Sequence, residues 1–238
     1  MDLTSFQAWL FDLDGVITPT ADVHMLAWDD MFNAFLASRG EGGVYTRDDY
    51  FTHVDGKPRY DGVRDFLTSR GIALPEGTPA DDPAEETVCG LGNRKNDAFN
   101  TVLARDGVTP YAGSVALLDR LRDLGVRLAV VSSSKNATQV LRAAGLSERF
   151  EVVVDGVVAH DEGLPGKPAP DTYEFAADRM GVPHEQSVVI EDALSGVAAG
   201  AAGAFGLVVG VDRGVGEEAL TGAGADVVVA DLAELVNS

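Results

Sequence analysis

The sequence predicts an α/β fold, a parallel sheet interrupted early by a helical insertion. Three observations predict it. Short apolar runs recur along the chain. From about residue 110 onward they alternate with helical patterns, and between about residues 21 and 105 the chain reads as helix without strands. A length of 238 residues suffices for one large α/β domain or for a core with a small second domain.

The first strand is "AWLFDL", near residues 7–13, and it joins the later sheet. Helical patterns follow in "ADVHMLAWDDMFNAFLASRG", "RDDYFTHV", "YDGVRDFLTSRG" and "KNDAFNTVLARDG". The segment "IALPEGTPADDPAEET", with three prolines and a cluster of acids, breaks them. An all-helical stretch inserted after the first strand of a parallel sheet reads as a second small domain. This puts the core domain at residues 1–20 and 106–238 and the helical cap domain at residues 21–105.

In "AGSVALLDRLRDLG", Leu117, Leu118, Leu121 and Leu124 follow one helical face and Gly125 is the stop. The strand "VRLAVVS" comes next, then "NATQVLRAAG", a helix with Asn136 as its capping residue and Gly145 at its end. After the strand "EVVVD", the helix "APDTYEFAADRMG" carries Asp171 in its first turn and ends on Gly181. "SVVIE" is the next strand. "DALSGVAAGAAGAFG" is low in complexity, but it lies between two strands and is mostly alanine. It reads as a helix packed tightly on the sheet through small residues. "GLVVGV" and "ADVVVA" complete the strands, and the alternation implies a parallel sheet covered on both faces.

With 38 acidic and 18 basic residues, the formal net charge is −20. Such a surface repels phosphate backbones and anionic lipid, which argues against nucleic-acid and membrane-surface roles. A small anion can still bind, but only through a few well-placed cations. The single cysteine, Cys89, allows no intrachain disulfide and reads as a packed core residue. No signal-peptide pattern opens the sequence and no apolar run reaches membrane-spanning length, so a soluble cytoplasmic protein is expected.

In open α/β sheets, ligands sit beyond the carboxyl ends of the strands. "FDLDG", "VVSSSKN", "GLPGKPAPD" and "VVIED" all fall there. Separately, each could be an ordinary turn, helix cap or surface pair. Together they offer carboxylates, hydroxyls, a lysine in each of two loops and backbone amides, a set suited to a divalent cation with a phosphate. A hard cation such as Mg2+ takes oxygen ligands. Asp12 and Asp192 supply carboxylates for it, and Asp14 supplies a carbonyl. Lys167 and the cation neutralise the phosphate oxygens, and Ser132 hydrogen-bonds them. Side chains two apart in a strand share a face, so Asp12 and Asp14 can meet one substrate. Asp12 then acts as nucleophile through an aspartyl-phosphate, and Asp14 acts as acid and base.

With these motifs in this order, the sequence resembles the haloacid dehalogenase superfamily of phosphoryl-transfer enzymes. The resemblance is closest to its β-phosphoglucomutase family and extends over nearly the whole chain. It rests on "FDLDGVITPTADVHMLAW", "SSSKN", "GKPAPD", the pair Glu191–Asp192 and, in the insertion, "GLGNRKND". The resemblance implies a Rossmann-like core with an inserted helical cap, and the cofactor Mg2+ held by Asp12, Asp14 and Asp192 with Glu191 adjacent. It implies phosphate binding by Ser132 and Lys167, and sugar-phosphate contacts from Ser134, Lys135 and Asn136. In the cap, it implies that His24 supports Asp14, that Arg59 binds the non-transferring phosphate, and that Lys95 and Asn96 lie near sugar hydroxyls. Thr20 matches a hinge position.

The activity implied is a mutase converting β-D-glucose 1-phosphate to glucose 6-phosphate, its partner a small phosphorylated sugar, its state a monomer. A sugar-phosphate phosphatase would share every core residue and is the alternative. A phospho-accepting receiver module uses similar groups but places its acceptor in a later strand of a domain about half this size. Three positions depart from the family pattern: Asp55 stands where a cap lysine is expected, with Lys57 two residues on; Pro19 stands where an aspartate is common; and the loop from Leu74 to Thr87 is longer and more acidic.

Overall fold

The structure is a computed structural model that describes residues 3–40 and 43–236. Two compact units make up the chain. One takes in the chain up to Pro19 and again from Val108; the other is Thr20–Gly107.

Strand β1 (Ala8–Phe11) is buried at every position. The chain then enters the helical unit. Helix α1 (Thr20–Ser38) is followed by the short α2 (Arg47–Asp49), which runs on into a π-helical turn at Tyr50–Val54. Helices α3 (Arg59–Ser69) and α4 (Val88–Asp106) complete this unit. Its core is aromatic: Phe32 packs against Phe66 at 4.1 Å between ring centroids, with Trp28 and Tyr45 alongside. The chain returns through α5 (Ala112–Asp123), β2 (Arg127–Val131), α6 (Ala137–Ala143), β3 (Val152–Val154) and α7 (Gly156–Asp161). It ends with α8 (Asp171–Met180), β4 (Ser187–Glu191), α9 (Leu194–Ala202), β5 (Leu207–Val211), α10 (Glu217–Ala223), β6 (Val227–Val229) and α11 (Ala233–Val236).

All six expected runs are strands of one parallel sheet in the order β3-β2-β1-β4-β5-β6. Apolar side chains on both faces explain why helices must cover both. The strand order reverses between β1 and β4, where a crevice opens at the carboxyl ends. Register aligns those ends: Phe11 lies opposite Val130 on one side and Ile190 on the other. The alanine-rich segment is helical as expected. A Cβ on Gly200 would lie 3.0 Å from Val189 Cγ1 and 3.2 Å from Val208 Cγ2, so only a small residue lets α9 sit this close to the sheet.

Four local expectations are corrected. Strand β1 stops at Phe11, so Asp12 and Asp14 do not share a strand face. Instead the backbone turns: Ile17 N and Thr18 N both donate to Leu13 O, at 2.9 and 3.0 Å, and Gly15 takes φ +93°. Asn136 occupies the cap position of α6, but its side chain makes no capping bond. Leu124 follows the last turn of α5 and is half-buried, whereas Leu117, Leu118 and Leu121 are fully buried. Helix α4 begins at Val88, earlier than "KNDAFNTVLARDG", because Thr87 caps it by accepting from Gly90 N at 2.9 Å.

Candidate active site

The turn after β1 brings Asp12 level with the end of β4, and Asp12 N donates to Ile190 O at 2.9 Å. Lys167 arrives from the loop before α8 and its ammonium joins three strand ends. It donates to Asp12 Oδ1 at 2.6 Å and to Val131 O at 3.0 Å, and it pairs with Glu191 Oε1. Tyr173, on the first turn of α8, donates to the same Glu191 oxygen at 2.9 Å. The other oxygen, Oε2, accepts from the amides of Asp192 and Ala193, both at 3.1 Å. Glu191 therefore has both oxygens engaged by protein donors. Gly196 makes room for it, since a Cβ there would fall 1.7 Å from Glu191 Oε1.

Asp12, Ser132, Lys167, Glu191 and Asp192 are all buried. Burial raises the Asp12 carboxyl well above its ordinary value; Lys167 opposes this, while Glu191 and Asp14 reinforce it. Burial works against the Lys167 ammonium, but Asp12 and Glu191 outweigh it and hold the lysine protonated. The cluster thus has more carboxylates than cations. Asp12, Glu191 and Asp192 each offer an oxygen within 4.8 Å of the others. This all-oxygen cluster, with its excess of negative charge, fits a hard divalent cation.

Ser132 closes the site from the end of β2. Its Oγ donates to Asp14 Oδ2 at 3.3 Å and accepts from Ser134 N at 3.1 Å. Ser134 Oγ in turn accepts from Asn136 N at 3.1 Å, and Ser134 O accepts from Gly156 N at 3.0 Å. Lys135 rests on Gly156, where a Cβ would lie 3.0 Å from its Cγ. Gly15 is required for a similar reason: a Cβ on it would lie 1.9 Å from Asp192 Oδ2. Sequence reasoning missed Tyr173, which the helical periodicity absorbs into the core. Its place six residues after Lys167 was the available signal.

In the helical unit, the His24 ring stacks on Phe99 at 4.0 Å and its Nδ1 meets Lys95 Nζ. Lys95 is buried, with its ammonium 4.9 Å from the Trp28 ring centroid and 5.2 Å from that of Phe99. Asn96 is the next residue on α4 and is half-buried. Arg59 opens α3 with its guanidinium 5.7 Å from the Tyr60 ring centroid, and burial lowers its pKa. Among the described residues it forms no salt bridge. Lys57, the candidate stand-in for the cap lysine, pairs with Asp65 at 2.7 Å. The structure thus joins His24 with Lys95, and it engages Lys57 elsewhere.

The family model described as haloacid dehalogenase-like hydrolase matches residues 6–203. A β-phosphoglucomutase of Mycobacterium bovis is 50% identical over 97% of this chain and 91% of its own length. The chain belongs to the haloacid dehalogenase-like hydrolase family. Solved structures agree on the fold. A β-phosphoglucomutase from Clostridium difficile superposes with a TM-score of 0.78 at 24% identity, covering 97% of this chain and 93% of that one. CbbY from Rhodobacter sphaeroides, solved in complex with xylulose-1,5-bisphosphate, gives 0.73 at 25% identity over 97% and 96%. In this haloacid dehalogenase-like chain, the four sequence motifs end on one crevice, and the buried Lys167–Glu191 pair ties the third motif to the fourth.

Proposed function

We propose that the protein is a β-phosphoglucomutase that converts β-D-glucose 1-phosphate to glucose 6-phosphate through phosphorylated Asp12. The observation that carries this reading is the 50% identity to a β-phosphoglucomutase along nearly the whole chain. The geometry supports the chemistry. A buried carboxylate, Asp12, stands beside a buried ammonium, Lys167, while Asp14 is held by Ser132.

The Asp12 carboxylate attacks phosphorus and forms an acyl phosphate, while the departing sugar oxygen takes a proton from Asp14. In the return step, Asp14 accepts the proton of the sugar hydroxyl that attacks the acyl phosphate. Lys167 and Ser132 hold the transferring phosphoryl group, with Ser134, Lys135 and Asn136 beside them. Mg2+, held by Asp12, Asp192 and the Asp14 carbonyl, would neutralise the phosphoryl oxygens. Glu191, whose oxygens face Lys167, Tyr173 and two amides, keeps the lysine in place. Arg59, a half-buried cation in an acidic chain, is assigned to the non-transferring phosphate, and His24, Lys95 and Asn96 to the sugar side.

The test is a primed assay. With a glucose bisphosphate present, the purified protein with Mg2+ should interconvert the two glucose monophosphates. Asp12→Asn should lower turnover by at least about 10³-fold, because the covalent route is lost. Release of inorganic phosphate at the full rate, without isomer formation, would replace this reading with a sugar-phosphate phosphatase.

A further inference from the structure

Arg213, in the core unit, takes no part in the reaction above. It follows β5, and its guanidinium reaches across the edge of the site. Its Nε donates to Gly15 O at 2.8 Å and its Nη1 to Ala230 O at 3.2 Å. The guanidinium carbon lies 3.9 Å from the centroid of the Tyr111 ring. The carboxylate that pairs with it, on Asp231, is 4.0 Å away. Its Nη2 is buried with no hydrogen-bond partner among the described residues.

Those contacts converge on the two segments that connect the units. Residues 15–19 lead out of the core unit, and residues 108–111 lead back into it. Three successive carbonyls of the outgoing segment are each held from a different place. Gly15 O accepts from Arg213, Val16 O accepts from Ser114 Oγ at 2.7 Å, and Ile17 O accepts from Tyr111 N at 2.9 Å. Gly15 is the weak point. Close approach to Asp192 forbids it a side chain, and without a Cβ it is the freest residue of the turn. An outside donor must therefore hold its peptide plane. Only a planar, forked cation can give Nε to one carbonyl, Nη1 to another and its face to a ring at once; an ammonium is a point charge.

We propose that Arg213 is a positioning residue for phosphoryl transfer. It clamps the outgoing turn at Gly15 against the returning segment at Tyr111, and so holds Asp12 and Asp14 in register with Ser132 and Asp192. The assignment rests on the phosphoryl-transfer reading of Asp12.

The experiment compares wild type with Arg213→Lys, Arg213→Met and Tyr111→Leu. Thermal melts, the primed mutase assay and direct phosphorylation of Asp12 by acetyl phosphate, followed by mass spectrometry, are the readouts. Displacing catalytic groups by about 1 Å costs up to about 100-fold, so both Arg213 variants should lose about 10- to 100-fold in kcat and in the rate of phosphoenzyme formation. KM should stay within about twofold, because ground-state binding is unchanged. Tyr111→Leu should lose less, in the same direction. If Arg213→Met does not fold, Arg213→Lys and Tyr111→Leu carry the test. Folded variants that phosphorylate at the wild-type rate overturn the assignment, as does full rescue by lysine or a loss confined to KM. Failure of wild type to take up phosphate at Asp12 overturns the phosphoryl-transfer reading, and the assignment with it. Wild-type uptake with unaffected variants overturns the assignment alone.

Discussion

Single residues in the site hold one another through burial and charge. Lys167 is the hub: it pairs with both Asp12 and Glu191, and its side chain is about 1% exposed. Removing one partner of a buried charge pair leaves the other uncompensated. Lys167→Met should therefore destabilise the protein by about 3–5 kcal/mol in urea unfolding, in addition to abolishing activity. A stability equal to wild type would mean that water reaches the cluster. The motif residues were legible in the sequence because carboxylates and a lysine at strand ends are chemically conspicuous. Tyr173 was not, because an aromatic on a buried helix face looks like core until its hydroxyl is seen on Glu191. Gly196 was read only as part of an alanine-rich run, yet its missing Cβ is what leaves space for the Glu191 carboxylate.

Among the elements, the helical unit shows how loops and short helices are secured. Helix α2 begins in a capping box: Asp49 N donates to Thr46 Oγ1 at 3.2 Å, and Thr46 N donates to Asp49 Oδ2 at 2.9 Å. Arg70 completes it with an ion pair to Asp49 at 2.7 Å. Burial works against the Asp49 carboxylate, but the Thr46 hydrogen bonds and Arg70 outweigh it and hold its pKa below the ordinary 3.8. A carboxyl depressed in the folded state stabilises above its unfolded pKa and loses that contribution as pH falls through the folded value. Asp49→Ala should thus cost about 1 kcal/mol at neutral pH, and the gap from wild type should close below about pH 4. Melting curves across pH check both parts. The acidic loop from Leu74 to Thr87 is tied down in the same way. Asp81 accepts from Thr78 N at 3.0 Å and from Thr87 Oγ1 at 2.6 Å, and Arg94 donates to Pro83 O at 2.7 Å. Composition identified this segment as a break in the helices, but the bonds from Thr87 and Arg94 depend on α4 lying beside it.

Across the whole molecule, a net charge of −20 makes the folded chain repel itself. Raising salt from about 10 mM to about 150 mM shortens the Debye length from about 30 Å to about 8 Å, so the melting temperature should rise. A fall over that range would show that the surface pairs, such as Arg64 with Glu76, outweigh the net repulsion. The sequence by itself determined the strands, the helical insertion, and the four motifs that meet in the structure. Those follow from local patterns: apolar runs, 3.6-residue periodicity, and carboxylates that have no reason to end a buried strand unless something binds them. Only the tertiary structure decided that the first strand ends before Asp12, that Glu191 faces Lys167 and two amides, and that Arg213 reaches Gly15 from 198 positions along the chain. Contacts between residues that distant depend on sheet order and register, which bring strand ends together and which no local pattern of residues encodes.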